Sequence, residues 1–456
     1  MDKAASREYL ATEPCARLIV RLAVPSVAAQ LANLLYGMVD RILLGHLESV
    51  GSDALAGLGV CLPIFAIVLS FAMLGASGAA PLASMELGRK DPQQAQRVVC
   101  HAQMLLLIAT IVLMAVSYLF SSQLLTLFGA SAVTMPYASE YFCIYMLGTP
   151  FVMIWNGMGL FLLAQGDSKQ MLVATATGAV VHVALALLFI FVFGWGIAGA
   201  ATSSVISQGL SAVLAIHFLR KQSSALRFEF RFVGLEARLV GRILSIGSGR
   251  FFIMFTEGIL LIVANATLQR YGGDVYVGAM TVLYSLQSID CVIVQGFTQG
   301  TQPIVSYCYG ARKLERTRHV TRVIVVVSAV INFVLIASIM LFPEQSVSLF
   351  TNDAELAALA AGYLRLFFVG FLFFGIQLGM QTIFMGLGKG FCSLTVAAVR
   401  KVILFVPLVF LLSGQFGADG VIFAEPISDV GSVLYCMTLF FFVIPKMIKG
   451  PDEAIS

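Results

Sequence analysis

The sequence predicts an all-α polytopic membrane protein, with about twelve transmembrane helices in two six-helix lobes. Three observations predict this class: the composition, a regular succession of apolar runs, and a repeat of half the chain's length. Of the 456 residues, 59% are hydrophobic and 11% are charged, whereas soluble domains contain about 25% charged residues. The composition therefore excludes a soluble globular protein of this length.

Apolar runs separated by polar turns give twelve spans, each near the roughly 20 residues that a helix needs to cross a bilayer. We predict them at 16–46, 55–83, 95–120, 137–165, 168–193, 197–220, 238–269, 276–305, 318–342, 356–387, 390–414 and 419–446. Turns such as Gly166-Asp167 and Gly272-Gly273-Asp274 mark the boundaries. The segment before the first span is polar, so we expect that span, and not a cleaved signal peptide, to direct insertion.

Lysine and arginine are concentrated in alternate loops. The segments 47–54, 121–136, 343–355 and 414–419 contain neither residue, and among the other loops of that set only Arg270 breaks the pattern. Because positively charged loops stay on the cytoplasmic side, we expect a multi-pass protein of the cell (inner or plasma) membrane with both termini in the cytoplasm.

The second half of the chain repeats the first with a shift of about 222 residues. Gly78, Pro81, Ser84 and Gly88 recur as Gly300, Pro303, Ser306 and Gly310. A duplicated six-span unit gives both halves the same orientation, so the pseudo-two-fold axis runs along the membrane normal, as in transporters built from parallel repeats.

This repeat predicts a first lobe over residues 1–220, a cytoplasmic linker over 221–237 and a second lobe over 238–456. The linker is basic and amphipathic. Contact with anionic lipid and a merely solvated connector are equally consistent with it.

Motifs for other classes of function are missing from the sequence. None of the eight cysteines forms CxxC or a Cys/His cluster, so neither a zinc site nor a disulfide framework is indicated. The sequence contains neither GxxxxGK[ST] nor HExxH. We expect no enzyme and no cofactor.

Polar residues deep in the spans of the first half are candidates for a site, because duplicated transporters bind substrate near the midplane between the halves. Asp40 is the foremost, since a carboxylate deep in a membrane helix costs roughly 2.5–3.5 kcal/mol. Alternatively, Asp40 lies near the outer end of its span or pairs with Arg41. Asn33, His182 and Thr202 are further candidates.

The second half offers more candidates: Glu257, Gln287, Asp290, Gln377, Arg400, Glu425 and Asp429. Glu425 and Asp429 are four residues apart and share a helix face, where they repel unless a cation or proton intervenes. Arg400 is the candidate counter-ion for one of them or for Asp290. A structural ion pair is slightly favoured over a substrate role for Arg400.

Several motifs together resemble the multidrug and toxic compound extrusion (MATE) family. They are Pro25 with Met38-Val-Asp-Arg-Ile-Leu-Leu-Gly45, Ala54-Leu-Ala-Gly-Leu-Gly59, Gly196-Ile-Ala-Gly-Ala-Ala-Thr202, Gln299-Gly-Thr-Gln-Pro303 with Tyr309-Gly-Ala-Arg312, and Glu425-Pro-Ile-Ser-Asp429. The resemblance covers nearly the whole chain. It implies two six-helix lobes around a V-shaped cavity, and export of drugs, often organic cations, in exchange for inward H⁺ or Na⁺.

The resemblance also implies roles for particular residues. Asp40 matches the family's acidic residue for the coupling ion, Thr202 matches a polar neighbour in that site, and Glu257 matches a second-lobe acid used by some members. Asn33 and His182 would be further hydrogen-bonding neighbours. We expect no metal beyond a possible Na⁺ at Asp40.

The chain departs from the family pattern at several of these positions. Span five has His182 and Ala186 where the family often has Asn and Asp, and span ten has Gln377 and Gln381 in place of a membrane Asp. These changes leave the choice between H⁺ and Na⁺ open.

We therefore expect a secondary active multidrug efflux antiporter that exports amphipathic, typically cationic, compounds by alternating access. Its expected partners are drug-like small molecules and the lipid bilayer, with no nucleic acid, and we expect a monomer. The alternative is a lipid-linked saccharide flippase of the same broader superfamily. A flippase predicts a more strongly cationic central cavity, whereas acidic residues here are at least as numerous as basic ones within the spans.

Overall fold

The computed structural model describes residues 8–45, 51–221, 224–229, 234–351 and 354–448, and every regular element in these ranges is helical. The helices are α1 (Tyr9–Thr12), α2 (Cys15–Gly45), α3 (Gly51–Gly88), α4 (Pro92–Leu119), α5 (Ser121–Leu127), α6 (Met135–Leu147), α7 (Thr149–Ala164), α8 (Ser168–Leu187), α9 (Gly196–Arg220), α10 (Ala237–Gly310), α11 (Leu314–Leu341), α12 (Pro343–Ser348), α13 (Ala354–Phe371), α14 (Phe374–Gly386), α15 (Gly390–Ala398), α16 (Val406–Phe416) and α17 (Ala418–Ile448). Short π-helical segments follow α8 (Leu188–Val192) and α15 (Val399–Phe405).

In the described residues, eleven helical stretches are long and apolar enough to cross a membrane, or twelve when α6 and α7, bent by 52°, count as one span. Gly273, with φ of 70°, breaks α10 into two of these stretches. The prediction of about twelve spans is confirmed. Helices dominate because a lipid-exposed backbone must satisfy its hydrogen bonds within its own segment.

The backbone repeats the duplication that the sequence shows. Lys90 and Arg312 both have positive φ, at 62° and 56°, directly after α3 and α10. Gly166 and Gly388, which precede α8 and α15, have φ of 84° and 77°. Turns in the rare left-handed region therefore recur at equivalent positions, and the pseudo-two-fold arrangement of two lobes is confirmed.

The two lobes pack directly at the face that carries Arg89, Lys90, Arg312 and Lys313, which we call the basic face. An added Cβ at Gly88 would lie 2.2 Å from the carbonyl oxygen of Tyr307, and one at Gly310 would lie 2.0 Å from that of Met85. The repeat relates these two contacts, because Gly88 and Gly310 occupy corresponding positions in the two halves. Glycine at both positions lets the backbones of α3 and α10 approach each other closely.

The segment between α9 and α10 is anchored on the first lobe where it is described. The amide groups of Ala225 and Leu226 both donate to Gln165 Oε1 over 3.1 Å. The Arg227 amide donates to Gln96 Oε1 over 2.9 Å. Residues 222–223 and 230–233 of the predicted linker lie outside the described residues, and the domain boundaries stay a prediction.

Candidate functional site

A cavity of about 340 Å³ lies between the two lobes. Its first-lobe wall is aromatic and polar, and its second-lobe wall is formed by α10. The polar and aromatic lining comprises Gln30, Asn33, Tyr36, Phe65, Tyr145, Trp155, Asn156, Thr175, Gln208, Ser211, Arg250, Gln295 and Gln299. A smaller cavity of about 40 Å³, lined in part by Ser84 and Ser306, lies towards the basic face. The larger cavity is concave, has both apolar and polar walls, and is of a size that suits small-molecule ligands.

Asp40 is the centre of a buried polar cluster in the first lobe. Its side chain is nearly inaccessible, and four helices supply the cluster. Tyr141 on α6 donates its hydroxyl to Asp40 Oδ2 over 2.8 Å, and Ser204 on α9 donates to the same oxygen over 2.9 Å. His182 Nε2 on α8 lies 3.0 Å from Asp40 Oδ1. Asp40 is therefore not a side chain that reaches out to the membrane surface.

The His182 imidazole is fully buried, and its Nδ1 has no hydrogen-bond partner among the described residues. A buried N–H without an acceptor is costly. The contacts therefore favour a neutral ring that donates Nε2–H to Asp40.

Tyr36 links this cluster to the cavity. Tyr36 lines the cavity and stacks on the His182 ring, with 4.2 Å between the ring centroids. Its hydroxyl lies 2.8 Å from Ser207 Oγ and donates to the Ser204 carbonyl over 2.9 Å. Tyr36 therefore contacts both the Asp40 cluster and the cavity.

The other predicted coupling-ion residues, Thr202 and Asn33 beside Asp40 and Glu257 in the second lobe, differ in outcome from His182. Thr202 donates its hydroxyl to the Ala198 carbonyl of its own helix over 2.7 Å, so Ser204 takes the place that we predicted for Thr202. Positions two apart on an α-helix point about 200° apart, which explains the exchange. Asn33 lies two helical turns before Asp40 and lines the cavity instead. The side chain of Glu257 lies outside the described residues.

The second lobe holds a buried cluster of two cations and two anions. Arg400 Nε donates to Asp429 Oδ1 over 2.7 Å, and its terminal nitrogen lies 3.5 Å from Glu425 Oε1. Lys401 Nζ donates to Glu425 Oε1 over 3.2 Å. The structural ion pair that the sequence favoured is present, with Lys401 as a second cation that we had not predicted.

The π-helical segment over Val399–Phe405 explains the second cation. Consecutive residues of a regular α-helix point about 100° apart, whereas the wider π turn brings both Arg400 and Lys401 to the carboxylate of Glu425. Under the repeat, Glu425 is the equivalent of Ser204. The second-lobe cluster that corresponds to the Asp40 cluster therefore contains its own cations, Arg400 and Lys401, which neutralise its two carboxylates.

The remaining second-lobe candidates bind other partners. Asp290 accepts from Asn332 Nδ2 over 2.8 Å and not from Arg400, which corrects one of our two suggested pairings. Gln377 Oε1 accepts from Ser432 Oγ over 2.7 Å. Gln287 is buried, and its Nε2 has no hydrogen-bond partner among the described residues.

Sequence reasoning missed Tyr141, Ser204, Tyr36 and Lys401 as members of these clusters. Residues with hydroxyls and single aromatic residues are common in membrane spans, so the presence of Tyr36, Tyr141 or Ser204 in a span does not by itself indicate a functional site. The repeat did mark Tyr141, since it recurs as Tyr363. Tyr363 and Tyr276 both donate to Asp419 in the second lobe. A tyrosine–aspartate contact thus occurs in both lobes.

Comparison with known proteins adds sequence relatives and solved structures. A family model described as MatE matches residues 25–188 and 251–411. The multidrug export protein MepA of Staphylococcus haemolyticus is 23% identical over 428 residues, covering 94% of this chain and 93% of that protein. MepA of Staphylococcus aureus is 23% identical over 448 residues, covering 98% of each chain.

Solved transporters share the fold. An outward-facing multidrug resistance MATE family transporter superposes with a TM-score of 0.89 at 21% identity, covering 97% of this chain and 98% of the other. A MOP superfamily transporter from Pyrococcus furiosus, described as having a binding pocket of reverse polarity, gives a TM-score of 0.87 at 21% identity, with the same coverage. The matched family model, together with the duplicated fold, shows that the chain belongs to the MATE family of multi-pass membrane transporters and is not an enzyme.

Proposed function

We propose that the protein is a secondary active efflux antiporter, which exports amphipathic drug-like compounds in exchange for inward H⁺ by alternating access. Multidrug export by the MepA relatives supports the direction and the breadth of transport. The aromatic and amide groups that line the cavity support amphipathic substrates.

The observation that carries the proposal is the buried Asp40 cluster next to the cavity. An isolated carboxylate in a membrane-spanning lobe is a functional site by default. Asp40 is held by three hydrogen-bonding groups and by no lysine or arginine among the described residues. The second-lobe cluster, in contrast, already contains its own cations.

The groups around Asp40 favour H⁺ over Na⁺ as the coupling ion. Hard cations prefer several oxygen ligands, but both Asp40 oxygens face hydrogen-bond donors, and one neighbour is an imidazole nitrogen. A proton requires only that one of these hydrogen bonds reverses. Na⁺ coupling therefore predicts a larger rearrangement of Tyr141, His182 and Ser204.

Proton entry then supplies the driving force. Moving one charge inward across about 100 mV releases about 2.3 kcal/mol, or roughly a fiftyfold concentration ratio. Neutralised Asp40 favours one arrangement of the first lobe, and the free carboxylate favours the other. Substrate release and proton uptake thereby alternate at neighbouring sites.

The test is efflux of a fluorescent dye from proteoliposomes under a proton gradient or a sodium gradient imposed separately. We expect the proton gradient alone to drive transport, and a protonophore to stop it. Transport driven only by sodium would replace H⁺ with Na⁺ in the proposal. Equal dye release without any gradient would indicate a facilitator and contradict antiport.

We propose further that the basic face is cytoplasmic, on the basis of the distribution of lysine and arginine. Ser131 and Arg312 are exposed at opposite ends of the spans. In a cysteine-free background, we expect a membrane-impermeant thiol reagent added outside cells to label Ser131→Cys but not Arg312→Cys. The reverse labelling pattern would invert the topology.

A further inference from the structure

We infer that residues 8–14, which we call the strap, hold the two lobes together at the basic face, and that the strap leaves the second lobe when that face opens. The inference goes beyond the proposed function, because it concerns the closure of the lobes and not the coupling ion. It gives the segment in front of the first span a part in the conformational change.

The strap is attached to the first lobe at both of its ends. It contains α1 and continues after Pro14 directly into α2. At its start, the Tyr9 hydroxyl donates to the carbonyl oxygen of Gly166, in the turn between α7 and α8, over 3.2 Å. An added Cβ at Gly166 would lie 2.2 Å from the Tyr9 hydroxyl oxygen. Glycine in this turn therefore leaves the space that the strap occupies.

The second lobe holds the strap through two cationic side chains that donate to its backbone. Lys313 Nζ donates to the Ala11 carbonyl over 3.1 Å. Arg316 donates to the carbonyl of Leu10 over 3.4 Å and also to that of Glu13. The last carbonyls of a helix have no partner within it, and α1 is a single turn. The second lobe therefore supplies the hydrogen bonds that complete the end of α1.

Leu10 is buried where the strap lies between the lobes. Its side chain is fully inaccessible, and an added Cβ at Gly166 of the first lobe would lie 3.2 Å from its Cδ2. Its carbonyl accepts from the Cys308 thiol of the second lobe over 3.6 Å. Separation of the lobes would remove these contacts. The strap thus adds apolar burial and charge-assisted hydrogen bonds to the close approach of α3 and α10 at the basic face.

Chain connectivity decides which lobe releases the strap. Only residues 13–14 lie between α1 and α2, so α1 stays within a few residues' reach of the first lobe. Opening of the basic face must then break the hydrogen bonds from Lys313 and Arg316. The competing explanation is that these bonds only anchor the N-terminal segment. In that case their loss lowers stability but does not change the distance between the lobes.

The distance between the lobes at the basic face separates these explanations. Lys169 and Phe391 are exposed at the starts of α8 and α15, 222 residues apart, so the repeat relates them. Spin labels on Lys169→Cys and Phe391→Cys report this distance by double electron–electron resonance. The background lacks the native cysteines and carries Cys308→Ser. The full-length protein is measured in lipid nanodiscs without a gradient or substrate.

We expect Lys313→Gln combined with Arg316→Gln to raise the ratio of open to closed basic face about tenfold or more, because hydrogen bonds from charged donors are lost. Tyr9→Phe should shift the ratio in the same direction by less, since it removes a neutral hydrogen bond. Arg312→Gln is the matched control. Arg312 is an exposed cation of the same turn, whereas the printed donors to the strap are its neighbours Lys313 and Arg316. It should keep the parent distances.

A second set of labels tests which lobe the strap leaves. Thr12 at the end of α1 and Glu315 near the start of α11 are both exposed. In the open population, we expect the distance from Thr12→Cys to Glu315→Cys to lengthen. The distance from Thr12→Cys to Lys169→Cys, within the first lobe, should stay the same.

Several results would overturn the inference. Unchanged distances between the lobes in the Lys313 and Arg316 variant, with or without a fall in thermal stability, would make the strap a structural anchor only. An equal shift in Arg312→Gln would assign the effect to the charge of the basic face. Lengthening from Thr12 to Lys169 in place of Glu315 would show that the strap leaves the first lobe. Tyr9→Phe, which removes one oxygen atom, tests the same closure if the double variant folds poorly. Because no gradient is applied, failure of the antiport mechanism would not affect these distances.

Discussion

Asp40→Asn is expected to reduce gradient-driven efflux to the leak rate of empty liposomes. The amide keeps the shape of the side chain and can still accept from Tyr141 and Ser204, but it cannot take up and release a proton. Without proton uptake and release at this position, the first lobe loses the change that shifts it from one conformation to the other. Dye efflux from proteoliposomes, measured between about pH 6 and pH 8, gives the readout.

Asp419→Asn is the matched control for this variant. Asp419 also accepts from tyrosine hydroxyls, those of Tyr276 and Tyr363, but it lies in the second lobe outside the proposed coupling site. We expect it to retain most of the parent rate. If Asp40→Asn exports as fast as the parent across this pH range, Asp40 is structural, and coupling must reside at Glu257 or at the Glu425 and Asp429 pair.

Gly310→Ala is expected to abolish export by preventing the two lobes from closing at the basic face. Its new Cβ would lie 2.0 Å from the Met85 carbonyl oxygen. Backbone atoms of two packed helices cannot move aside as a flexible side chain can. Gly88→Ala should act in the same way, because its Cβ would lie 2.2 Å from the Tyr307 carbonyl oxygen. Loss of this contact should populate conformations that are open at the basic face.

Two measurements separate this effect from misfolding. Ser84→Cys, in the wall of the smaller cavity, should become more reactive to a thiol reagent applied at the basic face. Gly59→Ala on α3 and Gly241→Ala on α10 add the same methyl group to the same helices where no atom lies within 4 Å. We expect both controls to export normally. Parent-level export by Gly310→Ala would show that transport does not require the closed basic face.

The sequence alone determined the class, the spans and the duplication. Span positions depend on local hydrophobicity, because each helix satisfies its backbone hydrogen bonds within itself and needs only sufficient apolar length. The repeat was visible because the residues at helix ends and close contacts, such as Gly88 and Gly310, are constrained in both halves. Asp40 stood out for a similar reason, since a carboxylate in an apolar span is rare wherever its partners lie.

The tertiary structure alone decided which groups contact these residues. The partners of Asp40 are 101, 142 and 164 residues away along the chain. Contact between them depends on how each helix is rotated about its axis, and hydrophobicity specifies that rotation only coarsely. A rotation of 200° separates Thr202 from Ser204, and the π turn around Arg400 shifts the helix phase so that Lys401 joins the same cluster. The sequence could therefore name the buried charges, but the packing of the helices selected their partners.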